Sequence, residues 1–195
     1  MKTLLSRARW WFLVSGIALL GYVALTLLDA ALFQSYETWR FENVVNANVA
    51  NPSPGPDVEK DRVILLAGTV IGRLHIARIG LNVMVVEGTD DKSLRRALGH
   101  VIGTALPGEP GNMAISGHRD THFRPLRHLR LGDEIVMKDG TGSYRYQVES
   151  MRVVTPEDTE VLNGSSDRVL TLITCHPFNF VGSAPDRFIV RARQM

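Results

Sequence analysis

A long apolar segment near the start of the chain constrains its fold more than any other feature. Residues 10–33 contain a single charged residue, Asp29, and residues 10–28 contain none. A helix over residues 10–28 extends about 28 Å at about 1.5 Å per residue, which is close to the hydrocarbon thickness of a bilayer. The segment has no polar face, so a helix buried in a soluble core is a poor alternative. We therefore predict a transmembrane helix over residues 10–33.

The charges on either side of the segment predict its orientation. The charged residues before the segment are all basic: Lys2, Arg7 and Arg9. The charged residues that follow it have both signs: Glu37, Arg40 and Glu42. The positive-inside rule then places residues 1–9 in the cytoplasm and the chain beyond residue 33 outside. The alternative is a cleaved signal peptide, whose shorter apolar region precedes a small-x-small site. The best such site, residues 24–26, lies inside the apolar run, so we expect a retained anchor.

The rest of the chain divides into a linker and a β-rich domain. Residues 34–68 include the run Asn-Pro-Ser-Pro-Gly-Pro, which cannot join a regular element, so we predict a stalk there. From residue 69 onward, short β-branched runs alternate with Gly, Pro, Asn or Asp: 71–76, 81–86, 112–117, 134–138, 144–154, 168–175 and 187–193. Seven or eight strands in about 125 residues predict a mainly β domain, a closed or nearly closed barrel over residues 69–195. Short helices fit at residues 91–98 and 121–129.

Composition restricts the partners and the chemistry. The formal net charge is +2 over 195 residues without a basic stripe, so we expect no nucleic-acid partner. The chain has one cysteine, Cys175, and therefore no intramolecular disulfide, although export would permit one. A free thiol outside the cytoplasm is either buried and inert or retained because it reacts.

Cys175 ends a predicted strand, where a scaffold commonly presents reactive groups. The strand stops near Pro177, so the thiol stands beside a loop. A nucleophilic thiol needs a base or a cation beside it to form a thiolate. His176 is adjacent in sequence but points to the opposite face of an extended strand. On these residues alone, a buried cysteine that acts as a small hydrophobe stays an open alternative.

His118 is the best partner for the thiol among the six histidines. It ends a run in which apolar residues alternate, so it emerges on the more polar face of a strand end. Asp120, two residues later, is placed to orient or charge its ring. His122 invites a metal interpretation, but the zinc protease motif needs Glu directly after its first histidine, where this chain has Arg119. We predict no metal and no cofactor.

Arg187 begins the last predicted strand and is the least distinctive of the candidates. On spacing alone, a solvated strand face explains it better than a function does. The functional alternative is a fixed cation that stabilises a thiolate or the oxyanion of a tetrahedral intermediate.

Together these residues resemble the sortase family. The run Thr-Leu-Ile-Thr-Cys that ends at Cys175 is similar to the sortase TLxTC motif, with Gly-His118 57 residues before the cysteine and Arg187 12 residues after it. Residues 71–81 resemble the first two sortase strands, and residues 106–120 resemble the approach to the catalytic histidine. Among the sortase subclasses, the sequence is most similar in these motifs to class D and the related proteobacterial sortases. The resemblance covers residues 69–193 and implies a sortase-type closed barrel with short helices on the outer, periplasmic side of the bacterial cytoplasmic (inner) membrane, held by one transmembrane helix.

The same resemblance implies a membrane-anchored cysteine transpeptidase. Cys175 would attack an LPxTG-like sorting signal at the C-terminus of an exported protein and form a thioacyl-enzyme. His118 would protonate the leaving amine and then deprotonate the acceptor, an amine of a cell-wall precursor or a protein. Arg187 would hold the substrate backbone or the oxyanion. Thr174 would help to line the oxyanion hole, and Asp120 and His176 are further supporting candidates.

Three alternatives belong beside this interpretation. Some sortases depend on calcium, but we interpret the acidic residues of this chain's candidate loop as solvated: Glu157, Asp158 and Glu160. An L,D-type cysteine transpeptidase presents a His-Gly-Cys-x-Arg run, whereas Cys175 follows Thr and precedes His-Pro. The non-enzymatic alternative is a catalytically inactive, membrane-tethered β-barrel interaction module. The presence of Cys175, His118 and Arg187 together argues against it.

Overall fold

One long helix precedes a β-barrel in the computed structural model, which describes residues 2–50 and 65–195. Helix α1 extends from Lys2 to Ala50. Its stretch from Arg9 to Asn43 is long and apolar enough to cross a membrane, and the side chains of residues 10–29 are all exposed. Exposed apolar side chains around the whole circumference need a lipid environment, so α1 is the candidate membrane anchor.

The predicted stalk, residues 34–68, begins inside this helix. Residues 51–64, which include the proline-rich run, lie outside the described residues. The chain joins the barrel from Gly68, whose N–H donates to the Glu87 carbonyl at 2.8 Å. The Glu87 N–H in turn donates to the Thr69 carbonyl at 2.8 Å, so the barrel domain effectively starts here.

Within residues 65–195, eight strands form a closed barrel in the order β1-β2-β3-β4-β7-β8-β6-β5. The strands are β1 Val70–Ile76, β2 Leu81–Glu87, β3 Leu98–His100, β4 Gly111–Ser116, β5 Glu134–Lys138, β6 Ser143–Val154, β7 Arg168–His176 and β8 Asp186–Gln194. Two neighbouring pairs, β2–β3 and β4–β7, are parallel, and the others are antiparallel. The predicted barrel of seven or eight strands is confirmed.

The sequence pattern missed β3 and placed the short helices only approximately. Strand β3 is three residues long, and a Cβ on its central Gly99 would lie 2.4 Å from the Gly88 carbonyl oxygen. The helix predicted at 91–98 is α2, Asp91–Arg96, which is capped by the Asp90 carboxylate and ends where Ala97 becomes extended. The helix predicted at 121–129 is a shorter 3₁₀ helix, Arg124–His128, with proline in its first turn, where a helix tolerates it.

The strands that carry the candidate residues have one apolar face and one polar face. Alternate residues of β4, β7 and β8 fill the barrel core: Met113, Ile115, Leu170, Leu172, Val190 and Ala192. The residues between them point outward because side chains alternate along a strand. At the strand ends, Cys175, His118 and Arg187 continue these outward positions, whereas Thr174 and His176 continue the inward ones.

Candidate active site

Three neighbouring strands bring Cys175, His118 and Arg187 together. Across the β7–β8 pair, Cys175 lies directly opposite Arg187. Across the parallel β4–β7 pair, Ser116 is in register with Ile173, and the Gly117 N–H continues the ladder by donating to the Ile173 carbonyl at 3.1 Å. Two residues further along, the same register brings His118 beside Cys175. The 57-residue separation in the sequence therefore equals the register offset of the two strands.

The three side chains share the outer face of the barrel, and this face is more exposed at the end where they lie. Cys175, Ile173 and Thr171 alternate with the inward core residues of β7. Thr171 is buried, whereas Ile173 and Cys175 are half-buried. The Cys175 thiol is free. His118 and Arg187 are half-buried as well, so a substrate reaches all three from one side.

Arg187 is held by the backbone and keeps its charge available. Its guanidinium donates to the carbonyls of Asp186, at 3.0 Å, and Ala184, at 3.3 Å. Within the described chain it forms no ion pair with a carboxylate. A cation that is positioned by neutral carbonyls retains its full charge for an anion at the thiol.

Thr174 lies on the buried side of β7, opposite Cys175. Its hydroxyl donates to the Gly117 carbonyl at 2.7 Å, and the side chain is 2% exposed. The hydroxyl is therefore engaged inside the barrel, where it fixes the residue directly before His118. A part in the oxyanion hole through this hydroxyl, as the family resemblance suggested, does not fit that orientation.

The other two supporting candidates lie apart from the thiol. His176 stacks on Phe188, with ring centroids 6.4 Å apart, and meets Phe178 edge-on at 6.1 Å. It follows Cys175 in an extended strand and so points to the opposite face. Asp120 is exposed, and in the part of the chain that is described it forms no hydrogen bond with the His118 ring.

His122 lies near His118 and stays uncharged more readily than a free histidine. Burial lowers the pKa of His122, the hydrogen bond with the Arg95 backbone opposes this, and the nearby His118 lowers that pKa further. The sequence pattern suggested this residue only as a metal ligand and did not predict its position beside His118.

Arg119 ties the loop after His118 to the β7–β8 connection, and sequence reasoning missed this role. Its guanidinium donates to the carbonyls of Phe180, at 2.8 Å, and Gly182, at 2.9 Å, and lies 5.8 Å from the centre of the Phe180 ring. Both loops flank the outer face at Cys175. One side chain thus joins the loop that follows His118 to the loop that follows the strand of Cys175.

Asn112 holds the β6–β7 connection against the other end of the same face. Its amide accepts from the Thr171 hydroxyl at 2.7 Å and donates to the carbonyls of Val161, at 2.9 Å, and Asn163, at 3.2 Å. The residue is 3% exposed. The connection covers the outer face at this end, so the accessible part of the face lies around Ile173 and Cys175.

A second histidine that carried no signal in the sequence, His100, is part of a buried network. Its Nδ1 lies 2.7 Å from the Glu87 carboxylate, and its Nε2 lies 2.9 Å from the Thr104 hydroxyl and 3.0 Å from the Ala105 carbonyl. His100 pairs with the core residue Ile115 across β3–β4, so it faces the barrel interior. This network joins β2, β3 and the following loop and does not face Cys175.

The acidic loop that raised the question of calcium contains a helix cap. The Asp158 carboxylate accepts from the Glu160 N–H at 3.2 Å and caps the 3₁₀ helix Thr159–Leu162. Among the residues that the structure describes, no three His, Cys, Asp or Glu side chains are grouped so that they could hold a metal ion.

Comparisons with known proteins all match this chain to members of one family. A family model described as a sortase domain matches residues 74–195. Sortase D of Bacillus subtilis is 28% identical over 196 residues, which cover 95% of this chain and 96% of that protein. The solved structure of a Clostridium perfringens Sortase D5 transpeptidase is similar with a TM-score of 0.66 at 27% identity, over 86% of this chain and 98% of that one. A lid mutant of sortase A from Corynebacterium diphtheriae gives a TM-score of 0.62 at 32% identity, over 67% of this chain and 72% of that one.

Proposed function

Because the chain belongs to the sortase family of cysteine transpeptidases, we propose that it cleaves an LPxTG-like sorting signal of an exported protein through a thioacyl-enzyme and transfers the product to an amine. The observation that carries the proposal is the position of Cys175 between His118 and Arg187 on one open face. A thiol, an acid/base and a fixed cation are the groups that acyl transfer through a thioester requires.

In the first half-reaction, the Cys175 thiolate attacks the carbonyl carbon of the scissile peptide bond. The C=O π electrons move to oxygen, and the oxyanion forms next to the Arg187 guanidinium. When the intermediate collapses, the C–N bond breaks and the leaving amine takes a proton from His118. The products are a thioester on Cys175 and a released C-terminal peptide.

In the second half-reaction, an incoming amine gives a proton to His118 and attacks the thioester carbonyl. The C–S bond breaks, a new amide bond forms, and the Cys175 thiolate is regenerated. His118 thus returns to its protonated form, and the cycle needs no metal or oxidant. The acceptor that we propose is an amine of a cell-wall precursor or of a protein.

The arrangement also supports a division of roles between the two arginines near the thiol. Arg119 uses its guanidinium on the Phe180 and Gly182 carbonyls, whereas the hydrogen bonds of the Arg187 guanidinium within the described residues go to the nearby carbonyls of Ala184 and Asp186. Arg187 is therefore the cation that we assign to the oxyanion. Removal of one such donor typically lowers kcat by about 10²- to 10³-fold.

We further propose that α1 anchors the enzyme in the bacterial cytoplasmic membrane as a single pass, with residues 1–9 in the cytoplasm and the barrel on the outer side. The apolar, charge-free residues 10–28 and the basic residues before them support this topology. A test is to attach a membrane-impermeant maleimide to Lys138→Cys in intact cells, in a Cys175→Ala background that removes the only native thiol. Labelling of this exposed barrel position supports the topology, and labelling only after lysis contradicts it.

A cleavage assay with the full chain in nanodiscs tests the transpeptidase proposal. A panel of LPxTG-like peptides is offered with hydroxylamine as a small amine acceptor, and products are measured by mass spectrometry. We expect cleavage, hydroxamate formation and a transient mass adduct on Cys175. Cys175→Ala, with an unchanged circular dichroism spectrum, is the matched control. If the wild-type enzyme cleaves every peptide no faster than this variant, the proposed function is wrong.

A further inference from the structure

Helix α1 has a shielded face that begins where its fully exposed segment ends. The side chains of residues 10–29 are exposed on every side, but beyond them one set of residues is partly shielded: Ala30, Phe33, Gln34, Glu37, Thr38 and Phe41. Steps of three and four residues place this set on one face of the helix. The face extends about 17 Å along the helix, at about 1.5 Å per residue. This part of α1 therefore lies against the barrel.

The contact nearest the apolar segment is made with α2. Arg96 donates to both oxygens of the Asp29 carboxylate, at 2.6 Å from Nε and 2.8 Å from Nη2. The same guanidinium lies 5.9 Å from the centre of the Phe33 ring. Two parallel hydrogen bonds define the direction of the pair as well as its distance. Asp29 is the first charged residue after the charge-free stretch, so this contact lies at the boundary of the candidate transmembrane segment.

The central contact uses both ends of one side-chain amide. Gln34 accepts from the Met84 N–H of β2 at 3.0 Å and donates to the Arg96 carbonyl at the end of α2 at 2.6 Å. Strand β3 pairs with β2 only from Val85 onward. Gln34 therefore provides the hydrogen-bond acceptor for the N–H of Met84, the residue that directly precedes this pairing. A half-buried amide with both of its groups bonded to the barrel backbone indicates a specific contact between helix and barrel.

The last contact involves β1. Arg73 donates to the Glu42 carboxylate at 3.0 Å and lies 5.7 Å from the centre of the Phe41 ring. The Arg73 side chain is only 14% exposed, so it is covered by the helix. The helix is thus attached to α2, β2 and β1 in turn, over residues 29–42.

A short path connects the boundary of the anchor with the candidate site. Arg96 binds Asp29, and the backbone of the preceding residue, Arg95, is hydrogen-bonded to His122. His118 in turn lies close enough to His122 to lower the pKa of the His122 ring. The loop that carries the candidate acid/base therefore lies at the end of the barrel nearest to the apolar segment of α1.

We infer that α1 is rigidly docked on the barrel and holds the thiol at a fixed, short height above the membrane, so that the enzyme selects sorting signals that lie close to the bilayer. A flexible stalk would let the barrel sample many heights, whereas three separate contacts along residues 29–42 allow only one. This inference rests on the proposed anchoring and transpeptidase function.

The docking itself is tested without any catalysis. The full chain in nanodiscs carries Cys175→Ala, which removes its only native thiol, and spin labels at Tyr36→Cys and Lys138→Cys. Tyr36 is 59% exposed on the helix, and Lys138 is exposed on β5. Electron–electron distance measurements should give one narrow distribution. Asp29→Asn with Gln34→Ala should broaden it, whereas Ser35→Ala, on the exposed side of the same turn, should not. A broad distribution before any change to Asp29 or Gln34, or a narrow one in the Asp29/Gln34 variant, overturns the docking.

The fixed height is tested with substrates that share one membrane. Peptides with a transmembrane tail carry the sorting motif at increasing distances from that tail, and a soluble peptide serves as the reference. We expect the wild-type enzyme to prefer the shortest spacers by about tenfold, because docking limits the heights at which thiol and motif meet. The Asp29/Gln34 variant should lose this preference and keep its kcat/KM on the soluble peptide. Equal cleavage of all spacers by the wild type overturns the inference, whereas failure on the soluble peptide contradicts the proposed function and leaves the distance measurement to decide the docking.

Discussion

Replacement of Thr174 by valine is a sharp test of how the barrel positions its candidate acid/base. The change keeps the shape of the side chain and removes only the hydroxyl, which donates to the Gly117 carbonyl at 2.7 Å. Both residues are buried, so water does not replace the lost donor. The Gly117 carbonyl immediately precedes His118, and the hydroxyl holds it at the point where the β4–β7 ladder ends.

The size of the effect follows from this geometry. A buried carbonyl left without its donor costs about 1–3 kcal/mol. For a domain of this size, a loss of about 2 kcal/mol lowers Tm by roughly 6–10 °C. A displacement of the His118 ring by a fraction of an ångström to 1 Å lowers kcat by about 10- to 100-fold, with little change in KM, because the thiol and the outer face are untouched.

The assay combines thermal unfolding with steady-state peptide cleavage for Thr174→Val and Thr174→Ser. Serine retains the hydroxyl, so its kcat should stay close to that of the wild type, although the lost methyl group costs about 1 kcal/mol of stability. If valine leaves both Tm and kcat unchanged, the hydroxyl does not position His118. If valine and serine lower kcat equally, packing rather than the hydrogen bond is responsible.

Three further predictions concern residues around the site. Arg119→Gln should raise KM by about tenfold because the loop that contains Phe180 loses its attachment. The control Arg124→Gln, at an exposed position five residues further along the chain, should leave KM unchanged. Equal KM values for the two variants in peptide kinetics would contradict the proposed role of Arg119 in holding this loop. Asn112→Leu should lower the free energy of unfolding by about 3 kcal/mol, since two buried hydrogen bonds and one half-buried hydrogen bond are lost. An unchanged denaturation midpoint would refute this. Hydrogen bonds from Arg193 and Arg191 lower the pKa of Glu149, so its contribution to stability is present above the usual carboxyl pKa and is lost as the pH falls through the lowered pKa. Glu149→Gln should therefore flatten the acid side of the plot of Tm against pH below about pH 4.5. Parallel plots for the two proteins would contradict this.

The alternation of residues made the barrel and the faces of its strands predictable from the sequence. It separates Cys175 from His176 without knowledge of any partner strand, because successive side chains of an extended chain diverge. It does not say which strands are neighbours. The 57-residue distance from His118 to Cys175 becomes meaningful only when β4 and β7 are known to be parallel neighbours, and without this the pattern made Arg187 look like surface charge.

Contacts between distant loops were beyond the reach of pattern reasoning. The attachment of Arg119 to Gly182 crosses 63 residues, and that of Asn112 to Asn163 crosses 51, and neither leaves a periodic signal. The docked face of α1 was hidden for a different reason. Its shielded residues overlap the end of the apolar run 10–33 and continue past it, so the change in composition after residue 33 predicted a stalk, whereas the helix continues along the barrel.

The central claim is that Cys175, His118 and Arg187 act as one site, and the rate of acyl-enzyme formation tests it most directly. A sorting-signal peptide is mixed with the full chain without an amine acceptor, the reaction is quenched at intervals, and the mass of the intact protein is recorded. We predict a thioester adduct that maps to Cys175 in the wild type. In His118→Ala and Arg187→Ala the adduct should form at least about 10²-fold more slowly, with Tm unchanged because neither side chain fills the core. Acylation of both variants at the wild-type rate, or an adduct that maps elsewhere than Cys175, would contradict the account.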